Sequence, residues 1–213
     1  MPLYTTDALI LRTYKLGESD RIVVFLTRDR GKKRGVAKNA RQSRRRFGGA
    51  LEPLTCGRVG YLEREHRDLV SVHYVEPLRS PLAAADGDAL GYVEYFAELL
   101  DEWAPEADPN ETLFRLGASM VEAIAVGVPI EPLARYFEYW LLRLQGVYET
   151  DPRLSDEAHA FLRTARVVSP LGLTGVDVSH GALTEIEAWH RTLISGYLEK
   201  ELKSIRVLRD MRR

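Results

Sequence analysis

Residues 28–49 read "RDRGKKRGVAKNARQSRRRFGG". From Arg28 to Arg46, ten of nineteen residues are cations: Arg28, Arg30, Lys32, Lys33, Arg34, Lys38, Arg41, Arg44, Arg45 and Arg46. Asp29 is the only acid among them. The chemistry on offer is neutralisation of a polyanion. Each phosphate bound releases condensed counterions, so binding is indifferent to base sequence and weakens with salt. A solvated loop without a partner has the same composition, and its position in the fold decides between the two. The 213-residue chain has a formal charge of only −1, but the charge is unevenly spread. Residues 1–80 hold 17 Lys/Arg against 9 Asp/Glu, and residues 81–213 hold 13 against 22. The two stretches suit different partners, with polyanions assigned to the first.

Few other residues offer chemistry. Phe47 closes the basic run, and Tyr61 and Tyr74 lie close by in sequence; each can stack on a base or fill a core. "GKKRG" lacks the Gly-x-x-x-x-Gly-Lys-Ser/Thr spacing of a phosphate loop, and no helical pattern follows it. His66, His73, His159, His180 and His190 have no second His or Cys at ligand spacing, so structural or surface roles are expected. Glu18 and Asp20 suit a turn, with Arg21 as a partner, and Asp101 and Glu102 suit the polar side of a helix. No Ser-His-Asp or Cys-His motif context is present. No catalysis, cofactor or metal is expected.

The elements that must carry these residues change character near residue 80. "TDALILRTY" and "RIVVFLTR" are rich in β-branched and aliphatic residues and flank "KLGESD", a tight turn on Gly17. "KRGVAKNA", "GRVGYLER" and "DLVSVHYV" follow, the last two joined by Glu65, His66 and Arg67. Val59 and Tyr61 alternate with Arg58 and Gly60, the period of a half-buried strand. Five short antiparallel strands in so short a stretch predict a small closed barrel of the oligonucleotide-binding kind, whose loops and strand faces commonly bind single strands. "RRFGGALEPLT" has room for one helical turn.

Beyond "EPLRSP" the period becomes helical. Val93, Phe96, Ala97, Leu100 and Trp103 form one stripe. Asp108, Pro109 and Glu111 predict a helix start, with Leu113, Leu116, Met120 and Ile124 on its apolar face. Pro132 is read as opening a third helix, bearing Tyr136, Phe137, Trp140, Leu141 and Leu144 and ending at Gly146. That aromatic stripe suits a core or a groove for a partner's helix or tail. Residues 147–183 look irregular apart from a short helix after Ser155. Thr184 and Glu187 read as a capping box for one last helix, with Ile186 through Ile205 along its buried side. The expected organisation is a barrel domain over 1–80 and an all-helical domain over 81–213.

Composition sets the class. Hydrophobic content is 45% and charged content 29%, those of an ordinary globular protein. No apolar run approaches the roughly 18–20 residues that cross a bilayer, so no membrane is expected among its partners. "MPLYTTDALILRTYK" does not read as a signal peptide. Cys56 is the sole cysteine. That excludes an intrachain disulfide and a four-cysteine metal site, and a cytoplasmic location is expected.

The stretch "ALILRTYKLGESDRIVVFLTRDRGKKRGVAKNARQSRRRFGGALEPLT" resembles the opening of the RecO family of bacterial recombination mediators. The matching pattern is Leu11-Arg12, Gly17-Glu18-Ser19-Asp20, Leu26-Thr27, Gly31-Lys32, Gly35-Val36-Ala37-Lys38, Ser43-Arg44 and Phe47 through Leu54. "YLEKELKSIRVL" is similar to the family's C-terminal helix. The resemblance implies an N-terminal OB-fold barrel followed by a helical domain, in a protein of the bacterial cytoplasm associated with the nucleoid. It implies binding of single- and double-stranded DNA and annealing of complementary strands. It also implies work with the partner RecR, loading of the recombinase RecA on DNA coated by single-strand-binding protein, and contact with that protein's acidic tail. Lys32, Lys38, Arg44 and the neighbouring cations are the implied DNA contacts. Many relatives bind zinc through four cysteines in the helical domain; residues 147–183 contain none, so zinc is not inherited.

The leading expectation is therefore a non-catalytic DNA-repair protein. A nucleic-acid-processing enzyme that uses the barrel to position substrate, and an RNA-binding module, are the alternatives. For the acidic tail, Lys200, Lys203 and Arg206 beside an apolar helix face are the candidate contacts. Favourable placement at the negative end of the helix dipole explains the same residues equally well.

Overall fold

A computed structural model describes residues 3–63, 68–84 and 87–211; the side chains of 44, 88 and 209–211 are outside that description. Glu65, His66 and Arg67 thus lie outside the described residues. The order begins β1 (Leu3–Leu16), β2 (Asp20–Thr27), β3 (Gly31–Ala37), a single turn α1 (Arg44–Phe47), β4 (Cys56–Leu62) and β5 (Val70–Arg79). The helices are α2 (Gly87–Trp103), α3 (Glu111–Ala125), α4 (Ile130–Leu144), α5 (Asp156–Ala165), α6 (His180–Leu198) and α7 (Lys203–Met211). Short 3-10 turns lie at Pro81–Ala83 and Pro170–Gly175.

The strands close in the order β1-β2-β3-β5-β4. Four neighbouring pairs are antiparallel, as the sequence suggests, and β3 with β5 is parallel. An odd ring cannot alternate direction all the way round, so closing five strands forces one parallel pair. Inside, Ala8, Ile10, Val23, Phe25, Val59, Tyr61, Val70 and Val72 make the core. Phe25 and Tyr61 meet edge to face with centroids 5.6 Å apart. Phe47, Ala50 and Leu51, from the segment after β3, complete this core.

A second core runs across the whole molecule. Leu9, Leu11, Val24 and Leu26 point out of the barrel and pack with Phe96, Leu100, Leu113 and Phe137 of the helices. The barrel's outer face is thus part-buried on one side. The main chain joins there too: Lys32 N–H donates to Pro105 O at 3.2 Å, and Ala107 N–H donates to Lys32 O at 3.0 Å. Gly31 makes this approach possible. Its φ is +68°, and a Cβ there would come within 2.4 Å of the Asp108 backbone.

Helix boundaries depart from the sequence reading at several points. The cap of α3 is Asn110, whose side-chain oxygen accepts from Leu113 N–H at 2.9 Å; Asp108 is spent on the approach to Gly31. Helix α4 starts at Ile130, so Pro132 lies in its first turn. Helix α6 starts at His180, capped by Ser179. Thr184 lies inside it and donates to His180 O at 2.9 Å. Glu187 binds Arg135 and Arg191 rather than capping. Helix α6 ends at Leu198, and Glu199 caps it in the left-handed region with φ 53°, so Leu202 lies in the link that follows and Ile205 in a separate helix, α7. Residues 147–183 are held by ordinary packing and hydrogen bonds. Phe161, Leu162 and Leu173 enter the core. Glu157 accepts from Ser179 N–H at 2.7 Å, and Trp140 Nε1–H donates to Ala165 O at 3.0 Å.

Candidate nucleic-acid interface

The ten cations divide by what they face. Lys32 is buried, and its Nζ lies 3.3 Å from Asp101 Oδ1 on α2. Lys33 pairs with Glu63 at 2.8 Å, Arg34 with Glu106 at 3.1 Å and Arg28 with Glu111 at 2.8 Å. Arg30 stacks over the Tyr4 ring, 3.9 Å from its centroid. These residues alternate along β3 and its approach, so they are drawn to acids on both faces of the sheet. Lys32 is not accessible to a phosphate in this arrangement.

The rest of the run forms the rim between β3 and β4. Lys38, Arg41 and Arg45 are exposed, and none has a carboxylate partner among the described residues. Arg41 Nη1 donates to Glu18 O at 2.8 Å, which ties this loop to the β1–β2 turn. Arg46 donates to Ser43 Oγ at 3.0 Å and to Lys38 O at 2.8 Å. These guanidiniums brace the rim through neutral carbonyl and hydroxyl oxygens, so their charge stays uncompensated. The backbone of Arg44 is in α1, and its side chain is outside the described residues.

The structure distinguishes the two roles open to the three aromatics near the run. Phe47 is 2% exposed and belongs to the barrel core, so it is not a stacking surface. Tyr61 is fully buried, and burial pushes its phenol well above the ordinary range. Tyr74 is half-buried, packs over Gly60 and hydrogen-bonds Thr5 through its hydroxyl at 3.0 Å. The exposed aromatic that sequence reading missed is Tyr14, on the outer face of β1. Its alternation with Arg12 and Leu16 was the available signal.

The helical part offers a different site. An open groove of about 730 Å³ is lined by Leu78, Leu116, Val121, Tyr136, Trp140 and Leu144, with Arg79 and Arg115 at its rim. Arg79 is 3.5 Å from Glu122, and Arg115 has no carboxylate partner among the described residues. Cys56 also lines it, and burial pushes its thiol up. The C-terminal cations look different. Lys200 pairs with Glu102 at 2.5 Å and Arg206 with Glu201 at 3.1 Å. The Lys203 and Ser204 amides, with the Ser204 hydroxyl, bind Glu98 at 3.1, 2.8 and 2.6 Å. Burial acts to raise the Glu98 carboxyl, but these donors and Arg12 outweigh it and hold it below the usual carboxylate range. This end of α7 is an anchoring contact, and its cations are mostly committed.

Closed barrel, cationic rim and attached helical bundle define a protein of the OB-barrel class with a helical second part. Residues 1–81 match the family model "Recombination protein O N terminal", and residues 84–160 match "Recombination protein O C terminal". The chain is similar to the DNA repair protein RecO of Koribacter versatilis (strain Ellin345), 43% identical over 148 residues, which cover 68% of this chain and 59% of that one. It is similar to that of Anaeromyxobacter sp. (strain K), 40% identical over 149 residues, 68% of this chain and 57% of the other. With that of Geobacter metallireducens it shares 37% identity over 147 residues, 66% of this chain and 57% of the other. The chain belongs to the RecO family of DNA repair proteins. It matches less than two thirds of the length of these curated relatives.

Proposed function

We propose that this protein is a non-catalytic recombination mediator of DNA repair. It binds single- and double-stranded DNA at the barrel rim and speeds annealing of complementary strands. With RecR it helps load RecA on DNA coated by single-strand-binding protein, at the bacterial nucleoid. The observation that carries this reading is the set Lys38, Arg41 and Arg45, exposed at one end of the barrel without carboxylate partners among the described residues. Two strands repel through their phosphates, and an uncompensated cationic rim screens both. Family membership supports the repair role.

Residues 1–80 and 81–213 are assigned as the DNA-binding and protein-docking parts. They share a core, so the assignment is of function and not of independent folding. The acidic tail of single-strand-binding protein is placed in the groove beside Arg79 and Arg115. That groove combines an apolar lining with Arg115, which has no carboxylate partner among the described residues, whereas Lys200 and Arg206 are committed to Glu102 and Glu201.

The test uses labelled complementary oligonucleotides and the 213-residue chain, with and without Mg²⁺. The reading expects faster annealing without nucleotide or metal and no new covalent product. Cleaved or joined strands would replace it with a nucleic-acid-processing enzyme. Preferential binding of RNA of the same sequence would replace it with an RNA-binding module.

A further inference from the structure

The outer face of the barrel carries a cross-strand row that the helices leave open. Tyr14 pairs with Ile22, and Ile22 pairs with Val36, so the three stand side by side on β1, β2 and β3. Tyr14 is 46% exposed, while Ile22 and Val36 are half-buried. The adjoining row is Arg12, Val24 and Arg34 in the same register. There Val24 is covered by the helices, so the helical part ends one row short of Tyr14.

Nothing in the fold uses this tyrosine as filler. The barrel interior is occupied by Phe25 and Tyr61, and Tyr14 belongs to neither core. Its hydroxyl is the acceptor for Arg12 Nη1 at 3.4 Å. Cations stand on both sides of the row. Arg12 and Arg34 flank it towards the helices, and exposed Lys38 follows β3 at the rim. Arg34 is half exposed and bonded only at its tip to the exposed Glu106, so water or a phosphate can replace that partner.

We propose that Tyr14 is a stacking platform for an unpaired base of single-stranded DNA, with Ile22 and Val36 as the apolar floor beside it. The strand's phosphates lie along Arg34 and Lys38. This deepens the DNA-binding reading above and rests on it. A paired base keeps its faces inside the duplex stack, so Tyr14 favours single strands, whereas the rim cations engage phosphates of either form. The row thereby supplies a preference that charge alone does not.

The test is an equilibrium titration of the full chain with three probes: oligothymidylate, an abasic oligomer of the same length, and duplex DNA. Tyr14→Ala is expected to weaken oligothymidylate binding about tenfold, the size of one lost base stack. Binding of the abasic oligomer and the duplex stays within about twofold of wild type, because their phosphate contacts are kept. Tyr14→Phe is expected to retain wild-type affinity. Tyr14→Trp is expected to show fluorescence quenching with oligothymidylate and not with the abasic oligomer. Equal oligothymidylate binding by wild type and Tyr14→Ala, with no quenching in Tyr14→Trp, overturns the platform and leaves the rim reading standing. Equal losses on all three probes assign Tyr14 to barrel integrity and also overturn it. Failure of wild-type protein to bind any probe at low salt removes the DNA reading itself.

Discussion

Lys32 Nζ lies 3.3 Å from Asp101 Oδ1 and donates to the Asp101 carbonyl at 2.5 Å, so a barrel strand and a helix 69 residues away are joined by a buried charge. Arg12 reaches the other carboxylate oxygen at 3.4 Å. Lys32→Met leaves Asp101 with one cation. Removing one partner of a buried pair costs about 3–5 kcal/mol, and the remaining Arg12 puts this case near the lower end. Denaturant unfolding should show a loss of about 3 kcal/mol, with part regained in Lys32→Met/Asp101→Leu. DNA affinity of the folded variant should be unchanged.

The division of the cations makes a second prediction. With about five or six phosphates engaged, the slope of log affinity against log salt for duplex DNA is about −5. Lys38→Ala, Arg41→Ala and Arg45→Ala should each flatten it by about 0.9 where they meet a phosphate. Lys32→Met and Lys33→Ala should leave it unchanged, because those shielded charges are already matched by Asp101 and Glu63. Salt titrations of the five variants check this, and equal effects in both sets would move the interface.

The groove leads to a third. Arg115→Glu should reduce binding of an acidic tail peptide by about tenfold, as loss of one desolvated charge pair followed by repulsion. Lys203→Glu should change it little. Calorimetric titration of both variants separates the groove from the end of α7, and the opposite ranking would restore the C-terminal site.

Protonation gives the fourth. Burial pushes the His190 imidazole below its ordinary value, against the pull of its hydrogen bond to Glu138 at 3.0 Å. Glu138 also accepts from Tyr95 and Arg135, each at 2.8 Å. Above about pH 6.5 His190 is neutral in both folded and unfolded chains. As the pH falls below that value, the unfolded chain takes up a proton that the folded chain refuses. Stability therefore drops, by at most about 1.4 kcal/mol per pH unit from this group, until the folded imidazole also protonates. Unfolding titrations at several pH values should show this slope in the wild type and a shallower one in His190→Asn. Identical slopes would assign the acid sensitivity elsewhere.

The sequence by itself determined what is local. Alternation of Val59 and Tyr61 with Arg58 and Gly60 set a strand, and the spacing of Val93, Phe96 and Leu100 set a helix, because burial of one face repeats with the period of the backbone. The density of cations from Arg28 to Arg46 and the single Cys56 were equally plain. The three-dimensional fold alone decided which of those cations are free. A lysine carries the same charge beside any neighbour, and Asp101, Glu106 and Glu111 reach β3 and its approach only when the helices pack on the barrel. Phe47 and Tyr14 show the same limit. Both are aromatic and both lie near the basic run, but barrel closure turns Phe47 inward, while the helices stop one row short of Tyr14. Burial depends on what arrives from elsewhere in the chain, and no local spacing encodes that arrival.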